Sequence, residues 1–202
     1  MSEKPARHTA EQRRTEITAA AAIEFARRGL EGATTDRIAE RAGVSQPYVV
    51  RLFGTKKALF LSVANRAFER TADAFRAAAV GDGPEERLEN MGAAYVALLS
   101  DRDELALQLQ LYAAAYDPEI RTCVATRFAQ LHELCGELSG ADPDRLRGFI
   151  AHGMLCNVAA ALDMPQIAWD ENWARERLSA LDETPPAGAG EASAKAVAIV
   201  DP

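Results

Sequence analysis

The chain of 202 residues is long enough for two small domains, and its apolar content of 48% is ordinary for a globular protein. No run reaches the roughly 18 uncharged apolar residues of a membrane span, and the first residues lack the apolar core of a signal peptide, so we expect a cytoplasmic protein without a membrane partner. The net charge of -7 is uneven, since residues 1–57 carry 11 Lys and Arg against 7 Asp and Glu. This basic excess is too small to predict nucleic-acid binding by itself.

The first predicted helix has a clear beginning and end. Thr9 and Gln12 have the spacing of a capping box, and Ile17 and Phe25 belong to one apolar stripe that continues to a stop at Gly29. We expect this stripe to pack against the short helices that follow.

Residues 34–59, with the sequence TTDRIAERAGVSQPYVVRLFGTKKAL, predict two short helices joined by a tight turn. Thr34 or Thr35 can cap the first helix, and Gly43 can take the positive backbone angle that the turn needs. Ser45 can cap the second helix, in which Pro47 falls in the first turn, where a missing N–H is harmless. Two helices in this arrangement can place one of them in the DNA major groove.

The second helix of this pair has two different faces. Val49 and Phe53 lie four residues apart and should face the first helix of the domain. The outward face then carries groups that can hydrogen-bond base edges and phosphates, namely Gln46, Pro47, Tyr48 and Arg51.

A third, longer helix begins after Thr55, which can cap it. Its free N–H groups and the charge of Lys56 favour a phosphate at this end. The agreement of turn, caps, polar face and lysine in one window favours DNA binding over a purely structural helix pair.

The rest of the chain predicts an all-α protein with about nine helices in total and no strand. After the long helix from Lys56 to about Ala79, the predicted helices are Pro84–Leu99, Asp103–Ala115, Asp117–Leu138, Asp142–Asp163 and Gln166–Leu181. Residues 184–202 are small and turn-forming, and predict a disordered tail.

The motif in residues 34–59 resembles the DNA-binding domain of the TetR family of bacterial transcriptional regulators. The matching framework positions are Thr34, Thr35, Ile38, Ala39, Ala42, Gly43, Val44, Ser45, Phe53, Thr55, Lys56 and Leu59. The resemblance implies a helix-turn-helix domain over residues 1–54 and a helical effector-binding and dimerisation domain over residues 55–183. It also implies that Gln46, Pro47, Tyr48 and Arg51 contact bases or backbone, while Thr35, Ser45 and Lys56 hold phosphates.

Two positions depart from the family pattern. Val50 stands where a tyrosine is usual, and Leu52 stands where an aromatic residue or histidine is usual. Neither valine nor leucine can hydrogen-bond, and Tyr48 is the nearest phenol that could replace the lost one. Asp36 is a further oddity because its carboxylate repels phosphate.

The helix from Asp142 is apolar around much of its circumference and must bury two sides, which favours either a domain centre or a subunit interface. The resemblance implies the interface, since TetR-like proteins pair through their last two helices. We therefore expect a homodimer whose interface includes Phe149, Ile150, Met154, Leu155, Val158, Leu162, Trp169 and Trp173. A two-fold dimer also suits a palindromic operator in double-stranded DNA.

The resemblance further implies a cavity for a small-molecule effector between the connecting helix and the next three. The side chains that could line it are Phe68, Phe75, Met91, Tyr95, Gln108, Tyr112 and His132. Gln108 and Tyr112 are the most useful pair, because they lie four apart and could present an amide and a phenol to one ligand. Each of these side chains could instead belong to an ordinary core.

Other chemistry finds little support in the sequence. Cys123, Cys135 and Cys156 lie in apolar helical stretches without a C-x-x-C spacing, so we expect reduced thiols. His132 and His152 precede two of them at helical spacing, but the two pairs should lie about 15 Å apart along neighbouring helices, which disfavours a shared metal site.

No nucleophile motif, phosphate loop or H-E-x-x-H pattern is visible, so we expect neither an enzyme nor a cofactor. The leading hypothesis is a dimeric repressor released from its operator by a small molecule. The alternatives are an all-helical enzyme or binding scaffold with a structural helix-turn-helix, or a DNA-binding regulator without an effector.

Overall fold

A computed structural model describes residues 9–164. This part of the chain forms eight α-helices and one short 3-10 helix, Ala114–Tyr116, and contains no strand. The α-helices are α1 (Ala10–Gly32), α2 (Thr35–Arg41), α3 (Gln46–Phe53), α4 (Lys56–Ala78), α5 (Pro84–Leu99), α6 (Arg102–Ala113), α7 (Pro118–Ser139) and α8 (Pro143–Ala161). The all-α prediction is confirmed, while the predicted helix Gln166–Leu181 and the predicted tail lie outside the described residues.

The helix boundaries follow local signals in the sequence. The capping box of Thr9 and Gln12 is present at the start of α1. Asp117 and Asp142 each accept two backbone N–H groups at the starts of α7 and α8, with a proline next in the chain. These aspartates satisfy amides that a helix start otherwise leaves without a partner.

The first core joins the short N-terminal helices to the rest of the chain. Phe25 of α1 and Phe60 of α4 are fully buried and meet edge to face, with ring centroids 4.9 Å apart. Leu107 and Leu111 of α6 belong to the same hydrophobic cluster. Because α6 packs into the same core as α1, the N-terminal helices are anchored directly on the later helices of the chain. The predicted domain boundary between residues 54 and 55 stays a prediction.

A second core fills the body between α4, α5, α6, α7 and α8. Met91 is fully buried there, and Phe75 packs against Tyr95 and Phe149 with ring centroids 5.9 and 5.8 Å away. Cys135 is also fully buried, and burial raises the pKa of its thiol to about 12. A thiol held neutral in this way is unreactive at physiological pH.

Candidate nucleic-acid interface and ligand cavity

The helix-turn-helix consists of α2, the turn around Gly43 and α3. The Thr34 hydroxyl accepts the backbone N–H of Arg37 at the start of α2, so Thr34 rather than Thr35 is the cap. Gly43 has a φ of 64°. A left-handed backbone at this point suits glycine, and it allows the chain to reverse between the two helices.

Ser45 occupies the N-cap position of α3, but its hydroxyl makes no capping hydrogen bond. This differs from the sequence-based expectation. Pro47 lies in the first turn and Val49, which is fully buried, fixes α3 against the core, so α3 is held without that bond. The Ser45 hydroxyl remains exposed at the surface that α3 presents.

The exposed face of α3 is ordered by contacts among its own polar side chains and with α2. The Gln46 amide donates to the Thr35 hydroxyl over 3.2 Å. The Arg51 guanidinium lies 4.8 Å from the centre of the Tyr48 ring, and Pro47 is exposed beside them. Holding the amide and the guanidinium in one geometry lowers the conformational cost of binding DNA.

The two unusual positions of the motif have different surroundings. Val50 is 41% exposed, whereas Leu52 is half-buried against the first core. The Leu52 carbonyl accepts a hydrogen bond from Arg14 over 2.6 Å, and the same guanidinium lies 5.0 Å from the centre of the Phe53 ring. Arg14, which sequence reasoning missed, thus adds a positive charge at the C-terminal end of α3.

Lys56 stands at the first turn of α4, as the sequence predicts, but its ammonium is already engaged. It donates to the carbonyls of Glu31 and Ala33 over 3.2 and 3.1 Å. These bonds tie the start of α4 to the end of α1. An ammonium has three donors, so a phosphate could receive only the remaining one.

Glu24 is a buried carboxylate, 4% exposed, that sequence reasoning also missed. One of its oxygens accepts two hydrogen bonds from Arg41 of α2, over 2.9 and 2.7 Å, and the other accepts one from Arg28. Burial alone would raise the Glu24 pKa, but the hydrogen bonds and charges of Arg41 and Arg28 together lower it. The ion pair therefore holds α1 and α2 together. In the sequence, the only indication of it is an acidic residue, Glu24, within the apolar stripe of the first helix.

A cavity of about 810 Å³ opens between α5 and α8. Its volume lies within the range of small-molecule sites, roughly 300–1,000 Å³. Four of the side chains that sequence analysis assigned to an effector cavity line it: Phe75, Tyr95, Gln108 and Tyr112.

Three other predicted cavity residues lie elsewhere. Phe68 lines a smaller pocket between α4, α5 and α6, and fully buried Met91 packs into the second core. His132 is exposed on α7. The neighbouring Leu131 lines the cavity, and one residue along a helix turns the side chain by about 100°, so His132 faces away.

The inner wall of the cavity carries a connected polar network. The Tyr95 hydroxyl lies 2.8 Å from the Asn157 side-chain oxygen and 2.7 Å from the Gln108 side-chain nitrogen. The same nitrogen lies 3.2 Å from the Tyr112 hydroxyl. Burial raises the Tyr95 pKa to about 12, despite these hydrogen bonds, and it raises the Tyr112 pKa as well. Both phenols are therefore neutral hydrogen-bonding groups.

The predicted dimer residues divide into two groups. Met154 and Val158 on α8 and Leu162, its C-cap, lie four residues apart and are 36, 46 and 60% exposed. Three more are half-buried: Phe149, Ile150 and Leu155. Phe149 and Ile150 pack on the second core of their own chain. Trp169 and Trp173 lie outside the described residues. Among residues 9–164, the stripe of Met154, Val158 and Leu162 on α8 is an exposed apolar surface.

The described helices carry neither a metal site nor a membrane span. Within residues 9–164 no three His, Cys, Asp or Glu side chains gather closely enough to hold a metal ion. None of the helices in this range combines the length and the apolar character that crossing a membrane requires.

An all-helical chain that presents a polar, partly basic α3 on a helix-turn-helix, and attaches it to a larger helical body, belongs to the class of helix-turn-helix DNA-binding regulators. Comparison with known proteins specifies the class further. Residues 17–63 match the family described as "Bacterial regulatory proteins, tetR family".

Solved structures agree with this match over most of the chain. A member of the TetR family from Streptomyces coelicolor A3 is 27% identical with a TM-score of 0.64, and the match covers 84% of this chain and 97% of that one. A TetR-like transcriptional regulator from Rhodococcus sp. RHA1 is 23% identical with a TM-score of 0.60, covering 81% and 97%. A Saccharomonospora viridis protein, solved in complex with choline, shares the fold at 19% identity and a TM-score of 0.62, covering 87% and 97%. The match over residues 17–63 and the solved structures together support the TetR family of transcriptional regulators, as the resemblance of residues 34–59 predicted.

Proposed function

We propose that this regulator is a dimeric, cytoplasmic repressor that occupies a palindromic operator and is released when a small molecule enters the cavity between α5 and α8. The observation that carries the proposal is the ordered polar face of α3, in which Gln46 is held by Thr35 and Arg51 by Tyr48. The fold does not depend on this face alone, because the buried side chain of Val49 holds α3 in place.

In this proposal each side chain of the interface has a distinct role. Gln46 and Arg51 are suited to base edges, since an amide pairs with adenine and a guanidinium with guanine in the major groove. Pro47 and Tyr48 contact the backbone or the thymine methyl group. Thr35, Ser45 and Lys56 are assigned to phosphates, with Lys56 using the one donor that the α1 carbonyls leave.

The proposed dimer rests on α8. Met154, Val158 and Leu162 form an exposed apolar stripe at helical spacing, and a contiguous apolar surface of this kind is typical of an interaction site. Two copies related by a two-fold axis would present two α3 helices to two half-sites of one operator.

The proposed effector site rests on the size and lining of the cavity. The cavity wall includes α6, whose other face packs into the first core beside α1. A ligand that moves α6 would therefore disturb the anchoring of the DNA-binding helices. The choline complex of the Saccharomonospora viridis protein supports the idea that this fold accepts small organic ligands.

Selection of bound sequences from random DNA tests the proposal directly, because it requires no assumption about the operator sequence. We expect an inverted repeat with half-sites about one helical turn apart, bound by two chains per duplex in analytical ultracentrifugation. Recovery of no preferred sequence, or of a single half-site bound by one chain, would contradict the proposal.

A further inference from the structure

The charged side chains that line the cavity lie at its mouth. Glu85, Glu89, Asp144 and Arg145 are all exposed. Arg145 pairs with Glu85 over 2.8 Å and Arg147 pairs with Asp144 over 2.9 Å, so Glu89 leaves the mouth with one net negative charge. An anion approaching the cavity would be repelled by this excess.

The inner lining described by the structure lacks an ionised partner for a charged ligand. It consists of apolar and aromatic side chains together with the neutral Tyr95 and Tyr112 phenols and the Gln108 amide, while the imidazole of His152, which also lines the cavity, is exposed like the charged side chains of the mouth. The Cys156 thiol is also neutral, because burial raises its pKa. A carboxylate placed here would lose its hydration without gaining a counter-charge.

Aromatic rings can attract a cation, but three rings of this cavity, those of Phe75, Tyr95 and Phe149, are packed against one another. Phe75 is 3% exposed and meets both Tyr95 and Phe149 at tilted or edge-on angles. A cation needs open ring faces. Contacts among the rings therefore occupy the surfaces that a cation would require.

Two polar groups in the network have unused hydrogen-bonding capacity. Tyr95 has one phenolic proton, which it donates to Asn157 over 2.8 Å, while it accepts the Gln108 N–H over 2.7 Å. The Gln108 oxygen lies 3.1 Å from the same hydroxyl and competes for this one proton, but the Asn157 oxygen is nearer; with the proton on Asn157, the Gln108 oxygen is left to accept from a ligand. Tyr112 accepts from Gln108, and its own O–H has no acceptor among the described residues. One acceptor and one donor thus stand side by side in an otherwise apolar cavity.

We infer that the cavity selects an uncharged, mainly apolar molecule that carries one hydroxyl or amide group, which pairs with the Gln108 oxygen and the Tyr112 hydroxyl. This inference rests on the proposed effector role of the cavity. A hydroxyl matches the pair because it can donate to Gln108 and accept from Tyr112 at once. The same chemistry disfavours carboxylates and quaternary ammonium compounds.

Three probes with the same ten-carbon chain test this selectivity: 1-decanol, decanoate and decyltrimethylammonium. Their binding to the full-length protein without DNA is measured by calorimetry at pH 7.5, below the micelle concentration of each probe. We expect 1-decanol to bind at least about tenfold more tightly than either charged probe. Equal or tighter binding of a charged probe, or binding of none of the three, would overturn the inference.

Two variants connect the binding to the named groups. Tyr112→Phe should weaken 1-decanol binding about fivefold, the effect of one hydrogen bond, whereas Tyr116→Phe should leave it unchanged. Tyr116 is 64% exposed and its hydroxyl bonds Glu31, away from the cavity. Ala93→Trp, at an exposed position of the cavity wall, should block all probe binding. Unchanged 1-decanol binding in Tyr112→Phe or Ala93→Trp would contradict the assignment.

The effector role is tested separately by operator binding. If 1-decanol binds as expected but the operator is never recognised, the proposed function fails while the ligand assignment stands. If the wild-type protein binds its operator and only the probe pattern differs, the ligand assignment alone fails.

Discussion

The DNA-binding face and the cavity use polar side chains in opposite ways. On the face, polar groups are tied to one another before any partner arrives, as Gln46 is to Thr35 and Lys56 to two carbonyls. In the cavity, Gln108 and Tyr112 keep an acceptor and a donor for a ligand once the Tyr95 proton is on the nearer Asn157 oxygen. A rigid face suits recognition of a regular duplex, while open hydrogen-bonding groups suit a ligand that carries a matching hydrogen-bonding group.

The two regions should also differ in how much they contribute to stability. Phe25→Ala should lower the free energy of unfolding by about 3–5 kcal/mol, because the fully buried ring joins α1 to α4 and α6. Phe149→Ala, which removes a half-buried cavity ring, should cost clearly less. Urea unfolding of both variants measures the difference, and equal losses would show that the cavity wall is as tightly packed as the first core.

Dimerisation should depend on the exposed stripe of α8. Val158→Glu should convert dimers to monomers in sedimentation equilibrium and weaken operator binding by about 1.4 kcal/mol or more, a factor of ten. Ala129→Glu, at an exposed position of α7, is the matched control and should stay dimeric. A Val158→Glu protein that remained a dimer would move the interface away from this stripe.

The buried ion pair between α1 and α2 offers a test by pH. Glu24→Gln should lower the free energy of unfolding by about 1–2 kcal/mol at pH 7, a discounted value because Arg28 and Arg41 are partly exposed, whereas Glu40→Gln should change it little. Since the folded-state pKa of Glu24 is lowered, its contribution is complete above its unfolded pKa, near 4.5. The contribution disappears as the pH falls through the lower folded value. The difference in urea midpoint between Glu24→Gln and Glu40→Gln should therefore shrink as the pH falls. A difference that stayed constant down to pH 2 would contradict this role.

The smallest expected effect concerns the orientation of Gln46. Thr35→Val removes the hydroxyl that accepts from the Gln46 amide and should reduce discrimination at one base pair by about 1 kcal/mol. The fold should not change, because Thr34 provides the α2 cap. Competition binding with operators altered one pair at a time measures the effect, and Thr122→Val on α7 is the control. An unaltered preference would mean that Thr35 does not position Gln46.

The parts of the structure that sequence predicted correctly depend on short-range signals. Gly43 and the capping residues act within a few positions of themselves, so the turn and the helix starts could be placed. The predicted long helix from Lys56 to about Ala79 ends at Ala78 for the same reason. The spacing of Gln108 and Tyr112 likewise placed them on one side of α6.

The contacts that sequence analysis missed join distant positions. Lys56 binds carbonyls more than 20 residues earlier in the chain, and Arg14 reaches Leu52 across 38 residues. The position of His132 depended on which side of α7 faces the cavity, and an amphipathic pattern too weak to distinguish Leu131 from its neighbour could not decide it. Asn157 joined the polar network only through the packing of α8 on α5.

The central claim, that α3 reads the operator, is tested most directly by the affinity of Arg51→Ala for the selected operator. Arg76→Ala is the matched control, because Arg76 also carries one exposed guanidinium but lies at the opposite end of α4 from α3, paired with Glu69 and Asp73. At one fixed salt concentration we expect Arg51→Ala to weaken operator binding by about 1–3 kcal/mol and Arg76→Ala to leave it near the wild-type value. Equal affinities for the two variants would contradict the claim.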